Sequence, residues 1–309
     1  MADEADIVLV DWGTSSLRVW AMDRHGAILG TRRSERGMGQ LAPDEFAPEL
    51  QANLAALNVA GDVPVLICGM AGAAQGWQEA RYIDLPCDLA TLAGAAIQVR
   101  GQDRDIRILP GMAPRDNARP DVMRGEETIL YGLVSQGIDT GLVCLPGTHA
   151  KWAKLDASRL TAFHTLMTGE IFELLAGQSI LHHTVADSHW SDEEFADAAA
   201  EAYAAPTKAL SGLFALRAGP LLFGKNSPAG TARLSGLLIG AELAIGLQAL
   251  DGESLILAAA EEASKRYTLA CQRLGIACRQ IDAELAVRNG LYALASNIWP
   301  ERKLGVTSQ

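Results

Sequence analysis

The chain has 309 residues, enough for two domains of ordinary size, and its 49% hydrophobic and 20% charged residues exclude a disordered polar polypeptide. A formal net charge of −11 excludes bulk attraction to nucleic acid or an anionic membrane; an anionic ligand would need local backbone donors, a few arginines or a metal. The five cysteines are scattered and none forms a Cys-x-x-Cys pair, so neither a disulfide framework nor a zinc site is expected. The acidic start (Asp3, Glu4, Asp6) does not resemble a signal peptide, and the apolar stretch 237–250, interrupted by Glu242 and Gln248, is too short for a bilayer. A cytoplasmic protein with no membrane or nucleic-acid partner is expected.

In chain order, Ile7-Val8-Leu9-Val10 is an aliphatic run without alternation, as in a strand buried on both faces. A Gly-Thr-Ser-Ser turn leads to a second strand over 17–22, and the turn Asp23-Arg24-His25-Gly26 to a third at 27–29. A helix is expected over 43–56, strands over 65–68 and 106–111, and between these the glycine-rich segment 69–77. Residues 125–133 open a helix whose first turn holds Glu126 and Glu127. Leu142-Val143-Cys144-Leu145 is another buried strand running into Pro146-Gly147-Thr148-His149, so the strand-and-turn unit occurs once per half. Helices are expected to dominate thereafter, with a capping box at Ser191–Glu194, a long helix over 235–250, and a strand at 255–258 followed by a helix over 262–274 that Gly275 ends.

The turn after Asp11 suits a nucleotide phosphate: Gly13 lets the backbone come close, and Thr14, Ser15 and Ser16 offer hydroxyl and N–H donors. Asp11 at the strand end could hold Mg²⁺ through water, because that ion keeps several of its own. Taken by itself the segment reads better as a hairpin turn, since Gly, Ser, Thr and Asp all favour turns. The second turn again offers a glycine and a hydroxyl, with Lys151 as a nearby charge. Two such turns, each after a buried strand, say more than either one.

Asp11 to Arg18, Gly69 to Trp77, Val122 to Thr128, Leu145 to Trp152, Met167 to Glu170 and Ser235 to Glu242 occur in this order. Together they resemble the 2-keto-3-deoxygalactonate kinase family, of the actin/hexokinase/heat-shock ATPase superfamily, over almost the whole chain. The resemblance implies an α/β protein of two actin-like, ribonuclease H-like domains of related topology, with ATP in the cleft between them. It places the first domain at 1–135 and the second at 136–309, the last helix returning to the first. It implies transfer of the ATP γ-phosphoryl group to the 6-hydroxyl of 2-dehydro-3-deoxy-D-galactonate, with ATP and Mg²⁺ as cofactors and a small sugar acid as partner. Homodimerisation is expected only as the commonest oligomeric state.

The same resemblance places roles. Gly13, Thr14 and Ser15 form the first phosphate turn, Gly147, Thr148 and His149 the second, and Asp11 the metal site. Glu126 or Glu127 is the catalytic base; adjacent helical residues point about 100° apart, so only one should face the site, and Glu126 is preferred. Read alone, both glutamates are helix N-terminal charges worth about 0.3–1 kcal/mol. Arg18 and Arg124 are candidates for the substrate carboxylate, and Gly69, Met70, Gly72 and Trp77 for the sugar. The adenosine segment falls at Ala258-Ala259-Ala260, with alanine where the family pattern has glycine, which would narrow the room for nucleotide. Two rivals share the fold: an exopolyphosphatase-like hydrolase, opposed by the lack of a glycine run in the second turn, and a nucleotide-gated regulatory protein, opposed by Asp11 and Glu126.

Overall fold

Four aliphatic runs with no exposed residue set the frame. The computed structural model describes residues 4–185, 189–223, 229–248 and 255–305. The chain forms, in order, β1 (Ile7–Trp12), β2 (Leu17–Met22), β3 (Ile28–Ser34), α1 (Phe46–Ala56), β4 (Val65–Gly69), β5 (Ile83–Asp84), β6 (Cys87–Asp88), α2 (Thr91–Gly94), β7 (Ile97–Gln98), β8 (Ile106–Ile108), β9 (Met112–Ala113) and α3 (Glu126–Ser135). There follow β10 (Gly141–Leu145), β11 (Ala150–Asp156), β12 (Arg159–Leu166), α4 (Thr168–Gln178), α5 (His182–Val185), α6 (Asp192–Ala204), α7 (Lys208–Ser211), α8 (Leu213–Phe223) and α9 (Gly230–Leu247). The chain closes with β13 (Leu255–Ala259), α10 (Glu261–Leu274), β14 (Cys278–Asp282) and α11 (Ala283–Ile298).

Two compact units result: Met1–Thr140 with Leu155–Ala162 and Glu284–Gln309, and Gly141–Lys154 with Phe163–Ala283. The sheet of unit 1 runs β3-β2-β1-β4-β8-β7; in unit 2 the order is β14-β13-β10-β11-β12. Reversed, and leaving aside the two-residue strand β6 that pairs with β12, the second reads β12-β11-β10-β13-β14, so each order places its third, second and first strands side by side and then two more, to which the first sheet adds β7. The added strands run parallel to the first in both units: β1 to β4 to β8, and β10 to β13 to β14. This repeated topology is the related-domain α/β architecture the sequence leads one to expect. The four central strands β1, β4, β10 and β13 are the aliphatic runs, as strands covered on both faces require. The edge strand β3 is mostly exposed and carries Arg32 and Arg33, which blunt it against unwanted pairing.

Glycines fix the helices that matter to the site. A Cβ on Gly132 of α3 would stand 1.9 Å from the Ala286 carbonyl oxygen of α11, and one on Gly290 of α11 2.1 Å from the Thr128 carbonyl oxygen, so these helices touch backbone to backbone within unit 1. In unit 2, Gly236 and Gly240 bring α9 equally close to α6. The helix α9 begins at Gly230, five residues before its expected start; Leu250, its expected end, lies outside the described residues. It is apolar and 18 residues long, but 72% of it is buried inside the protein, as a core helix is. Helices do not follow the second turn directly: the hairpin β11–β12 intervenes. Its turn at Ala157-Ser158 takes φ of 47° and 68° without a glycine or asparagine, which removes the usual sequence mark of a hairpin.

Candidate active site

In unit 1, Asp11 sits on β1 opposite Arg18 of β2 and Cys68 of β4. Arg18 Nη2 donates to Asp11 Oδ2, and Arg18 Nη1 reaches Glu284 Oε2 at 3.4 Å. Arg33 donates to both Glu284 oxygens at 2.7 and 2.6 Å. Burial raises the Asp11 carboxyl above its ordinary value and the Arg18 guanidinium pulls it back. The turn beyond it is braced from behind. Gly13 N–H donates to Ser16 O, while the Gly13 and Thr14 carbonyls accept from Met38 and Gly39 N–H, each at 2.9 Å. Thr14, Ser15 and Ser16 face solvent.

Glu126 and Glu127 open α3 after Gly125, whose φ of 109° demands glycine. Glu127 is 0% exposed, and both of its oxygens accept from Gly125 N–H, at 2.8 and 2.7 Å. Burial, with the neighbouring Glu126 charge second, pushes its carboxyl up to about 7. Glu126 is half-buried and accepts from Arg124 N–H at 3.0 Å. Both carboxylates thus reach back to the backbone ahead of the helix, Glu127 buried and Glu126 half-buried. Cys68 lies near both Asp11 and Glu127; burial first, then these two carboxylates, holds its thiol well above the ordinary value.

The glycine-rich segment packs against the same elements. Gly69 has φ of 90°, and a Cβ there would stand 2.5 Å from the Trp12 carbonyl oxygen. Met70 and Gly72 form a 3-10 turn. Gly72 leaves room for the Arg124 guanidinium, which a Cβ would approach to 2.8 Å. That guanidinium stacks on Tyr82 at 4.5 Å and donates from Nη2 to Ala80 O at 2.8 Å, while Nε and Nη1 are buried with no hydrogen-bond partner among the described residues. Trp77 stacks on Phe46 and meets Trp12 edge-on, and its ring is half-buried.

Unit 2 carries a cavity of ≈ 420 Å³ whose walls include Gly147, Thr148, Thr168, Phe172, Arg266 and Tyr267. Gly147, Thr148 and His149 are exposed on the turn after β10. The buried Lys151 donates back to the His149 carbonyl at 3.0 Å, and His149 pairs with Glu170. A Cβ on Gly169 would stand 2.4 Å from Gly147 O, so the start of α4 is seated directly on the turn.

The three alanines separate. Ala258 and Ala259 remain in β13, 1% and 3% exposed and facing the core, whereas Ala260 lines the cavity. Ala260 has φ of −69° and ψ of 157°, extended backbone that any residue adopts. No glycine is therefore required where the chain turns into α10, and the expected narrowing by alanine does not arise from the backbone. Sequence reasoning gave no role to Glu284, Arg33, Phe172, Arg266 or Tyr267. Thr168 and Ser235, which also line the cavity, fall in matched segments and carried that much signal.

The chain matches the family described as 2-keto-3-deoxy-galactonokinase over residues 11–294. It is 45% identical over 298 residues to the Rhizobium meliloti (strain 1021) protein named probable 2-dehydro-3-deoxygalactonokinase, covering 94% of this chain and 97% of that one. It is 30% identical over 292 residues to the Escherichia coli (strain K12) 2-dehydro-3-deoxygalactonokinase, covering 94% and 98%. A crystal structure of a Sinorhizobium meliloti protein, provisionally assigned to the same activity, superposes with a TM-score of 0.91 at 44% identity, over 95% of this chain and 99% of that one. The fold is the two-domain actin-like α/β fold. With the family matched across both turns, the α3 glutamates and the cavity, the chain belongs to the 2-keto-3-deoxy-galactonokinase family of sugar-acid phosphotransferases.

Proposed function

We propose that the chain transfers the γ-phosphoryl group of ATP, with Mg²⁺, to the 6-hydroxyl of 2-dehydro-3-deoxy-D-galactonate in the cytoplasm. The observation that carries this reading is the pair of groups two residues apart in unit 1. Arg124 has two buried donors without a partner, a state that costs about 1–3 kcal/mol until an acceptor arrives. Glu126 is a half-buried carboxylate at a helix start, able to orient a hydroxyl and accept its proton. A ligand with a carboxylate and a primary hydroxyl answers both. Arg18 is the weaker candidate for the carboxylate because its guanidinium is held by Asp11 and Glu284.

The acceptor side is thus assigned to unit 1 with Gly69, Met70 and Gly72, and the donor to the unit 2 cavity, with Gly147, Thr148 and His149 at its phosphate end and Ala260 beside the adenosine. Gly13, Thr14 and Ser15 offer the first turn's donors to the phosphates. Asp11 fits an Mg²⁺ ion that arrives with its own waters and phosphate oxygens: it presents one largely buried carboxylate, and no cluster of three ligating side chains occurs among the described residues. Such an ion would neutralise charge on the transferring group, while Asp11 would orient its waters and Arg18 would have to release the carboxylate.

The test is ADP formation by the purified chain with ATP and Mg²⁺ across a panel of 2-dehydro-3-deoxy sugar acids. Sugar-acid-dependent ADP with the galactonate epimer preferred supports the reading. Nucleotide binding without phosphorylated product, or phosphate release from polyphosphate alone, would overturn it.

A further inference from the structure

Arg18 and Arg124 are held in unit 1 by different means. Arg18 donates to the carboxylates of Asp11 and Glu284, so its charge and its N–H groups are spent on the protein. The Arg124 guanidinium instead lies over the ring of Tyr82, 4.5 Å from the ring centroid. An aromatic face attracts a cation through its quadrupole and uses none of the cation's N–H donors. One donor, Nη2, goes to Ala80 O at 2.8 Å; Nε and Nη1 stay buried with no hydrogen-bond partner among the described residues.

The ring itself is firmly seated. Tyr82 precedes β5, where Ile83 N–H donates to Gly111 O at 2.9 Å and Ile83 pairs with Met112 of β9. A Cβ on Gly111 would stand 2.8 Å from Tyr82 Cε1 and 2.4 Å from Met123 O, so glycine there lets the ring lie directly on the backbone. Gly72 makes room for the guanidinium in the same way, since a Cβ would come within 2.8 Å of Nη1. The Gly72 carbonyl also accepts from Ala80 N–H at 3.0 Å, which fixes the residue whose own carbonyl takes Nη2. Two glycines and one aromatic ring thus hold the cation in place without drawing on Nε or Nη1. The Arg124 backbone N–H donates to Glu126, so the cage and the candidate base meet at one residue.

We infer that Tyr82 is a positioning residue that makes the chain select an acid: by holding Arg124 through its π-face, it keeps Nε and Nη1 available to the substrate carboxylate. The inference rests on the assignment of Arg124 to that carboxylate. A packing role alone would lower stability without changing the preference for a charged substrate over a neutral one.

The experiment measures initial rates with 2-dehydro-3-deoxy-D-galactonate and with its neutral C1 amide, for the full chain and for Tyr82→Phe, Tyr82→Leu, Tyr82→Met and Arg124→Gln. The wild type is expected to prefer the acid, and Arg124→Gln to lose that preference. Tyr82→Leu should raise the sugar-acid KM about tenfold, leave the ATP KM unchanged, and cut the acid-over-amide ratio of kcat/KM by a similar factor. Tyr82→Phe keeps the aromatic face and should stay within about threefold of the wild type in all three. If Tyr82→Leu does not fold, Tyr82→Met, which fills the space without a π-face, carries the test. An undiminished acid preference in the Leu or Met variant, beside its loss in Arg124→Gln, would overturn the inference. So would a loss in Tyr82→Phe as large as that in Tyr82→Leu. An acid preference absent from the wild type, or unchanged in Arg124→Gln, would instead take the carboxylate away from Arg124 and the inference with it.

Discussion

The two strand-turn-strand units can be laid on one another through Gly13-Thr14 and Gly147-Thr148. Asp11 then falls on Leu145 and Arg18 on Trp152, each at the same interval from its glycine. In unit 1 these positions hold an ion pair extended through Glu284 to Arg33. In unit 2 they hold a buried leucine and an indole that donates to the buried Glu242. One backbone device thus serves two chemistries. In the proposed reaction the first copy would present charge to a metal and a reacting hydroxyl, and the second would seat the nucleotide by shape and backbone donors. The contrast shows why a matched turn is informative about phosphate and uninformative about which step the residues beside it perform.

The sharpest way to break that contrast is to remove charge from unit 1. Glu126→Gln is expected to lower kcat by about 10²–10⁴-fold with little change in either KM, as loss of a proton acceptor does. Steady-state kinetics with saturating sugar acid measures this; if Glu127→Gln is the more damaging change, the base is Glu127. Asp11→Asn is expected to lower kcat by about 10²–10³-fold, and titration with Mg²⁺ should show a weaker dependence on the ion. A kcat near that of the wild type would remove Asp11 from the metal site.

A smaller effect separates the two arginines. Arg124→Gln removes the donors offered to the substrate carboxylate, and a charge-assisted hydrogen bond of about 1.5–3 kcal/mol corresponds to a sugar-acid KM raised roughly ten- to a hundredfold. Arg18→Gln should act chiefly on kcat, through Asp11. Reversal of the two patterns would place the carboxylate at Arg18.

The aliphatic runs, the two turns and the order of motifs were legible in the sequence because a strand buried on both faces leaves a plain apolar signature and a phosphate turn needs small residues. The hairpin β11–β12 was not, since Ala157 and Ser158 adopt positive φ without advertising it. Where β13 ends was not legible either, because a strand's last residues and a loop's first look alike in composition, and only the backbone shows that Ala258 and Ala259 stay in the strand and the turn is made at Ala260. Glu284 was invisible for another reason. It lies 266 residues from Arg18 in the chain, and no local pattern announces a pairing of that span.

The smallest expected effect sharpens the distinction between the neighbouring glutamates. Glu127 has its carboxyl pushed from 4.5 up to about 7, so the folded chain holds that proton more tightly than the unfolded one. A group of this kind contributes stability that is full below about pH 4.5 and is lost as the pH rises through 7, with an upper bound of about 3 kcal/mol for a shift of this size. Glu127→Gln keeps an amide oxygen for Gly125 N–H and imitates the protonated carboxyl at every pH. Its Tm relative to the wild type should therefore climb between pH 5 and about pH 8 and then level off, whereas Glu126→Gln, which removes only the neighbouring charge that helps to raise Glu127, should show a smaller climb. Thermal unfolding of the three proteins across that range makes the comparison. A flat difference for Glu127→Gln would mean that the buried glutamate is ionised throughout, and would strengthen its claim to the role of base.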